Sequence, residues 1–128
     1  MIAFHYDHDL GARVATFSQR VDDDELLASY QSLLSSPDYD PDLDDLVDMQ
    51  GVERFEVSGD AIRELVRSFA RFSGAENRLA IVAGSDFVYG MARMYGQLRS
   101  DTTEEIRVFR DLDEARSWLK QSRRRRVS

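Results

Sequence analysis

"RLAIVAGSDFVYGMARMYGQL", residues 78–98, is the stretch on which the fold turns. RLAIVA is a near-continuous apolar run of strand length, the pattern of a central strand covered on both faces. Ser85 stands where a helix N-cap belongs, since its hydroxyl oxygen can accept from a backbone N–H in the following turn. The rest winds as a helix. At 100° per residue, Phe87, Met91, Met94 and Leu98 fall on one line, with Val88 and Tyr95 widening the arc, and this line is expected to be core. A buried strand running straight into a helix is the unit from which parallel sheets are built.

Working outward, IRVFR (106–110) reads as a last strand and DLDEARSWL (111–119) as a last helix, with Asp111 and Glu114 in capping-box spacing. Upstream, Ser58 caps a helix whose inner face is Ala61, Ile62, Leu65, Val66 and Phe69, leaving Arg63, Glu64, Arg67 and Arg71 to water. Before it, LVDM (46–49) is a short apolar strand. VDDDELLASYQSLLSS (21–36) is a helix: Asp22 is its N-cap, Glu25 completes a capping box, and Val21 and Leu26 form a hydrophobic staple. Its stripe is Leu26, Leu27, Tyr30, Leu33 and Leu34. IAFHYD (2–7) and ARVATFS (12–18) make an opening hairpin around Gly11, whose turn type the loop leaves open. The expected order is β-β-α-β-α-β-α-β-α, a single α/β domain with a mixed sheet of about five strands and four helices. The domain is expected over residues 1–120, with 121–128 as a basic C-terminal tail.

The composition bounds the function. A chain of 128 residues with 42% hydrophobic and 32% charged residues is one globular domain. There is no membrane-length apolar run and no secretory pattern at the start, so a cytoplasmic, bacterial-type protein without integral membrane association is expected. Zero cysteines exclude disulfides and thiol chemistry. The net charge of −7 is unevenly spread: residues 1–60 hold 15 acidic against 3 basic residues, and residues 61–128 hold 9 against 14. The halves attract within the domain, and nucleic acid is not expected as a partner. Arg123 to Arg126 lack interleaved aromatics and read as a solvated tail.

No catalytic constellation assembles. Two histidines, His5 and His8, are all the chain has, and no GxSxG elbow accompanies them. With Asp7 and Asp9 they suggest a metal site, but His8 points away from His5 along a strand, and a half-exposed hairpin explains them better. Asp38, Asp40, Asp42 and Asp44 begin like a calcium loop, yet Leu43 holds the glycine position and Met49 the closing glutamate position, so no metal is expected. Gly84, Ser85 and Asp86 form a strand-to-helix turn suited to an anion, though without a Walker or GxGxxG pattern, and Ser85 as an ordinary cap competes with that reading. On the α-helix that follows, the core line does not use Tyr89, Arg93 and Gly96. Gly90 and Gly96 each cost about 1 kcal/mol relative to alanine, which suggests close approach of a neighbour. A contact surface and an intrahelical tyrosine–arginine stack both fit this group.

LAIVAGSDFVYGMARMYGQL followed by IRVFRDLDEARSWL resembles the C-terminal half of the small bacterial SpoIIAA-like proteins, within the STAS and CRAL-TRIO-like superfamily. The resemblance is close over residues 78–119 and agrees in element order elsewhere. It implies a five-stranded mixed sheet with helices largely on one side. It also implies a non-enzymatic module without a cofactor, acting by docking to a protein partner, with a homodimer expected. STAS domains are sometimes switched by phosphorylation at a helix start, which here corresponds to Ser58 in EVSGDA, although Glu56 and Val57 replace residues of the family's DSSG signature. The CRAL-TRIO relationship implies the alternative: a carrier or sensor of a small apolar or anionic ligand, with Phe87, Met91 and Met94 lining a pocket.

Overall fold

The computed structural model describes residues 1–72, 74–100 and 102–127, with side chains through Gln121. The chain runs β1 (Ile2–Asp7), β2 (Ala12–Asp22), α1 (Asp23–Ser35), β3 (Asp44–Glu56), α2 (Gly59–Phe69), a 3-10 turn (Ala70–Phe72), β4 (Arg78–Ala83), α3 (Asp86–Leu98), β5 (Glu105–Phe109) and α4 (Leu112–Val127). The five strands lie in one sheet in sequence order; β1 and β2 are antiparallel and every later pair is parallel. This is the α/β architecture and element order that the periodicities predict.

The opening turn is set by Asp7, whose Oδ1 accepts from the backbone N–H of Asp9 and Leu10 at 2.9 and 3.0 Å. Gly11 closes it with a positive φ of 61°, which an L side chain rarely adopts. The helix caps fall as the sequence indicates. Asp22, Ser58 and Ser85 each accept from the N–H three residues on, at Glu25, Ala61 and Val88. The Glu25 carboxylate is engaged across the fold, accepting from Ile2 N–H at 3.0 Å, and so ties α1 to β1.

Two cores result. Ala15, Val47 and Ile81 stand in register across the sheet on the face that α1, α2 and α3 cover. Val14, Leu46 and Ala80 stand in register on the other face, under Ala115, Trp118 and Leu119 of α4. All six residues of β4 are buried because both faces are covered there.

Three expectations are corrected. β3 is far longer than LVDM: it pairs with β4 only through Met49 and then continues with β2 to Glu56 as a two-stranded ribbon. The buried line of α3 is Val88, Ala92 and Tyr95, whereas Phe87 is 57% and Leu98 38% exposed. Small Ala92 lets the helix sit close to the sheet, and the bulky residues fall one position out of phase; Phe87 instead meets Phe55 of the ribbon edge-on, with centroids 6.3 Å apart. Finally, α4 continues to Val127, so the backbone of the basic run Arg123–Arg126, expected as a tail, belongs to its last turns. Arginine, lysine and glutamine are good helix formers, and nothing after Leu119 breaks the helix. The side chains of that run lie outside the described residues.

Candidate functional site

Tyr89, Arg93 and Gly96 do come together. With Gln97 and Ser100 they form one wall of an open groove of about 350 Å³, whose opposite wall is Ile106, Arg107 and Val108 of β5. Tyr89 does not stack on Arg93. The guanidinium of Arg110 lies 4.5 Å from its ring centroid and also donates to Asp86 Oδ1 at 2.6 Å. Arg93 and Arg107 have no carboxylate within ion-pair distance among the described residues. Of the two helix glycines, Gly96 faces Ile106, whose Cγ2 lies 3.5 Å from where a Cβ would stand, whereas Gly90 meets nothing within 4 Å. The close approach expected at Gly90 is therefore absent, since that position faces outward.

A second space lies between the sheet and α1, α2 and α3: a cavity of about 80 Å³. Met91 contributes to its wall together with Val88, Ile62 and Phe69. Phe87 and Met94 are not among its lining residues, because Phe87 faces out and Met94 sits against Gly59 at the α2–α3 contact. One end is polar, where the first residues of the parallel strands converge. Arg13 donates to both oxygens of Asp45, at 2.7 and 3.1 Å. Asn77 donates to Glu104 at 2.7 Å, and Arg99, only 3% exposed, donates to the other Glu104 oxygen at 3.1 Å. Burial pushes Asp45 up to about 6 against the opposing pull of Arg13, and raises Glu104 despite Arg99. Tyr39, which stacks under Arg13 at 4.5 Å, is pushed up to about 12 by burial and then by Asp45. Sequence reasoning missed this cluster, and no local pattern marks it. Two carboxylates facing two guanidinium groups leave it near neutrality.

The remaining candidates have structural work. Ser58 sits at the N-terminus of α2, where its hydroxyl donates to Asp23 Oδ2 at 2.8 Å while accepting from Ala61 N–H. At the 84–86 turn, a Cβ on Gly84 would stand 3.2 Å from the Gln50 Cα, Ser85 caps α3, and Asp86 places the chain's own carboxylate in the first turn. In the acidic loop, Asp40 accepts from Asp42 N–H, Asp42 from Glu76 N–H and Asp44 from Arg78 N–H. Asp7 pairs with Arg116 at 3.1 Å, and His8 packs edge-on against Tyr6. Both histidines lie on or beside β1, at the opposite edge of the sheet from the groove. No helix among the described residues is long and apolar enough to cross a membrane.

No protein-family model matches the chain, and no curated protein matches it. Among solved structures it is similar to an uncharacterised protein of the DUF3478 family from Shewanella loihica PV-4 that has a SpoIIAA-like fold. The TM-score is 0.57 at 18% sequence identity, over 93% of this chain and 92% of that one. At that identity the likeness establishes the fold alone: this chain has a SpoIIAA-like fold.

Proposed function

We propose that this SpoIIAA-like domain is a non-enzymatic, STAS-like regulatory module that acts by docking a protein partner onto the α3–β5 face. The observation that carries the reading is the groove itself, in which a half-buried tyrosine, an arginine with no carboxylate partner among the described residues and a side-chain-free glycine share one wall. Tyrosine and arginine are the residue types that dominate interface energetics when set in a recess.

The test is affinity purification of the tagged protein from its own cells, comparing wild type with Tyr89→Ala and Arg93→Ala. Each variant is expected to weaken recovery of a bound protein by about tenfold or more, with the fold intact by circular dichroism. Equal recovery from wild type and both variants removes the reading. A second copy of this chain is the other occupant to read out: a dimer by light scattering that Tyr89→Ala dissociates identifies it, and a monomer excludes it.

A switch at Ser58 has a definite physical form. A phosphate on its oxygen would lie beside the Asp23 carboxylate, which now accepts from that hydroxyl, so like charges would part the starts of α1 and α2. Ser58→Asp belongs in the same purification series; recovery identical to wild type argues against the switch.

A second reading, a carrier or sensor of a small ligand, is favoured by the interior cavity with its apolar wall and polar end. Its size limits the ligand to a few heavy atoms. Extraction of the purified protein followed by mass spectrometry is expected to release such a molecule, and an empty extract removes this reading.

A further inference from the structure

Building on the docking reading, we propose that the partner element is an acidic, extended peptide segment that adds to the free edge of β5 as a further strand of the sheet. β5 ends the strand order, pairs with β4 on one side, and has no strand on its other side among the described residues. The groove touches three consecutive residues of it, Ile106, Arg107 and Val108. Ile106 and Val108 pack toward α3, whereas Arg107 points to the opposite face, its guanidinium 5.4 Å from the Phe109 ring. Side chains alternate across a strand, so what these three residues have in common at the groove is the backbone edge. Unpaired N–H and C=O groups along such an edge are what an incoming strand satisfies.

The other wall has the matching shape. Tyr89, Arg93 and Gly96 are spaced four and three residues apart, a single stripe along α3, and Ser100 continues the wall just beyond the end of the helix. Gly96 keeps that stripe low at its middle, and Tyr89 closes one end under Arg110.

Charge selects the partner. Arg93 on one wall and Arg107 on the other have no carboxylate partner among the described residues, and no acidic residue among those described lines the groove. A segment whose acidic side chains take the α3 face meets Arg93, and one whose acidic side chains take the other face meets Arg107. A second copy of β5 is not attracted: antiparallel pairing about a two-fold axis centred on this five-residue strand sets Arg107 opposite itself. A short edge strand bearing an arginine is also a common defence against unwanted pairing, but its positive charge repels a basic strand and attracts an acidic one. At about 3.3 Å per residue, five or six residues of partner would span β5.

The experiment uses fluorescein-labelled ten-residue peptides and the full chain. One peptide alternates glutamate with valine, one alternates lysine with valine, and one carries proline in place of every second valine of the glutamate peptide. By fluorescence anisotropy the glutamate peptide is expected to bind at least about tenfold more tightly than the other two, and the Arg93→Glu/Arg107→Glu variant to lose that margin. Amide exchange at Ile106 to Val108 is expected to slow on binding. No binding of the glutamate peptide, unchanged affinity in the double variant, or equal binding of the proline peptide overturns the inference. The two readings are distinguishable: equal partner recovery from wild type, Tyr89→Ala and Arg93→Ala removes docking, whereas if Tyr89→Ala abolishes recovery while Arg107→Glu leaves it unchanged, docking stands and strand addition falls.

Discussion

Asp45 shows what one residue's surroundings do to its chemistry. Its ordinary value is 3.8, yet burial lifts it to about 6 even with Arg13 donating to both oxygens. Asp7 goes the other way, lowered first by the Leu10 N–H and then by Arg116. Carboxyl-carbon NMR is therefore expected to find Asp45 titrating near 6 and Asp7 below 3.8. The sign for stability follows. The folded state holds the Asp45 proton more tightly than the unfolded chain, so its stabilising contribution is complete below about pH 4 and is lost as pH rises through 6. Asp7, Asp22 and Glu56 contribute oppositely, being lowered, so the difference between wild type and Asp45→Asn isolates the term. Parallel denaturation profiles for the two proteins between pH 4 and 6.5 would contradict it. None of this was legible in LVDM and its flanks, where Asp45 reads as one more member of an acidic loop; its partner Arg13 lies 32 positions away.

At the scale of elements, the glycines flanking and within α3 separate conformational cost from packing need. Gly90→Ala is expected to raise stability by up to about 1 kcal/mol, because the position is exposed and nothing lies within 4 Å of the added methyl. Gly84→Ala is expected to lower it, since the methyl would meet the Gln50 Cα at 3.2 Å and its carbonyl oxygen at 3.3 Å, both backbone atoms of β3. Urea denaturation of the two variants reads both signs, and a loss at Gly90 would contradict the first. The helices themselves were legible because a cap and the N–H that donates to it are three residues apart. The phase of α3 was not. Large apolar side chains at Phe87, Met91, Met94 and Leu98 make a plausible stripe, but the sheet chose the row in which Ala92 allows close approach.

Across the whole molecule, one face of the sheet is covered by three helices and the other by α4 alone. Trp118 packs there against Phe109, with ring centroids 5.7 Å apart, and helps cover Leu46 and Val82. Trp118→Ala is accordingly expected to cost about 3–5 kcal/mol in urea denaturation. A cost under about 1 kcal/mol would mean that α4 does not seal this face. The uneven charge of the two halves appears here as contacts: Arg116 of α4 reaches Asp7 at 3.1 Å and Asp9 at 3.9 Å, tying the last helix to the first hairpin.

The sequence alone determined the elements, their order, most of their caps and the burial of β4 on both faces, because each depends on residues a few positions apart. It also singled out Tyr89, Arg93 and Gly96 as residues unused by the core line. Only the tertiary structure decided that β5 is an edge, that Ile106, Arg107 and Val108 complete the groove, and that Arg13, Asp45, Asn77, Arg99 and Glu104 converge. The physical reason is separation along the chain: Asn77 and Glu104 are 27 positions apart and Arg13 and Asp45 are 32, and the sheet that brings them together is set by strand order rather than by any local pattern.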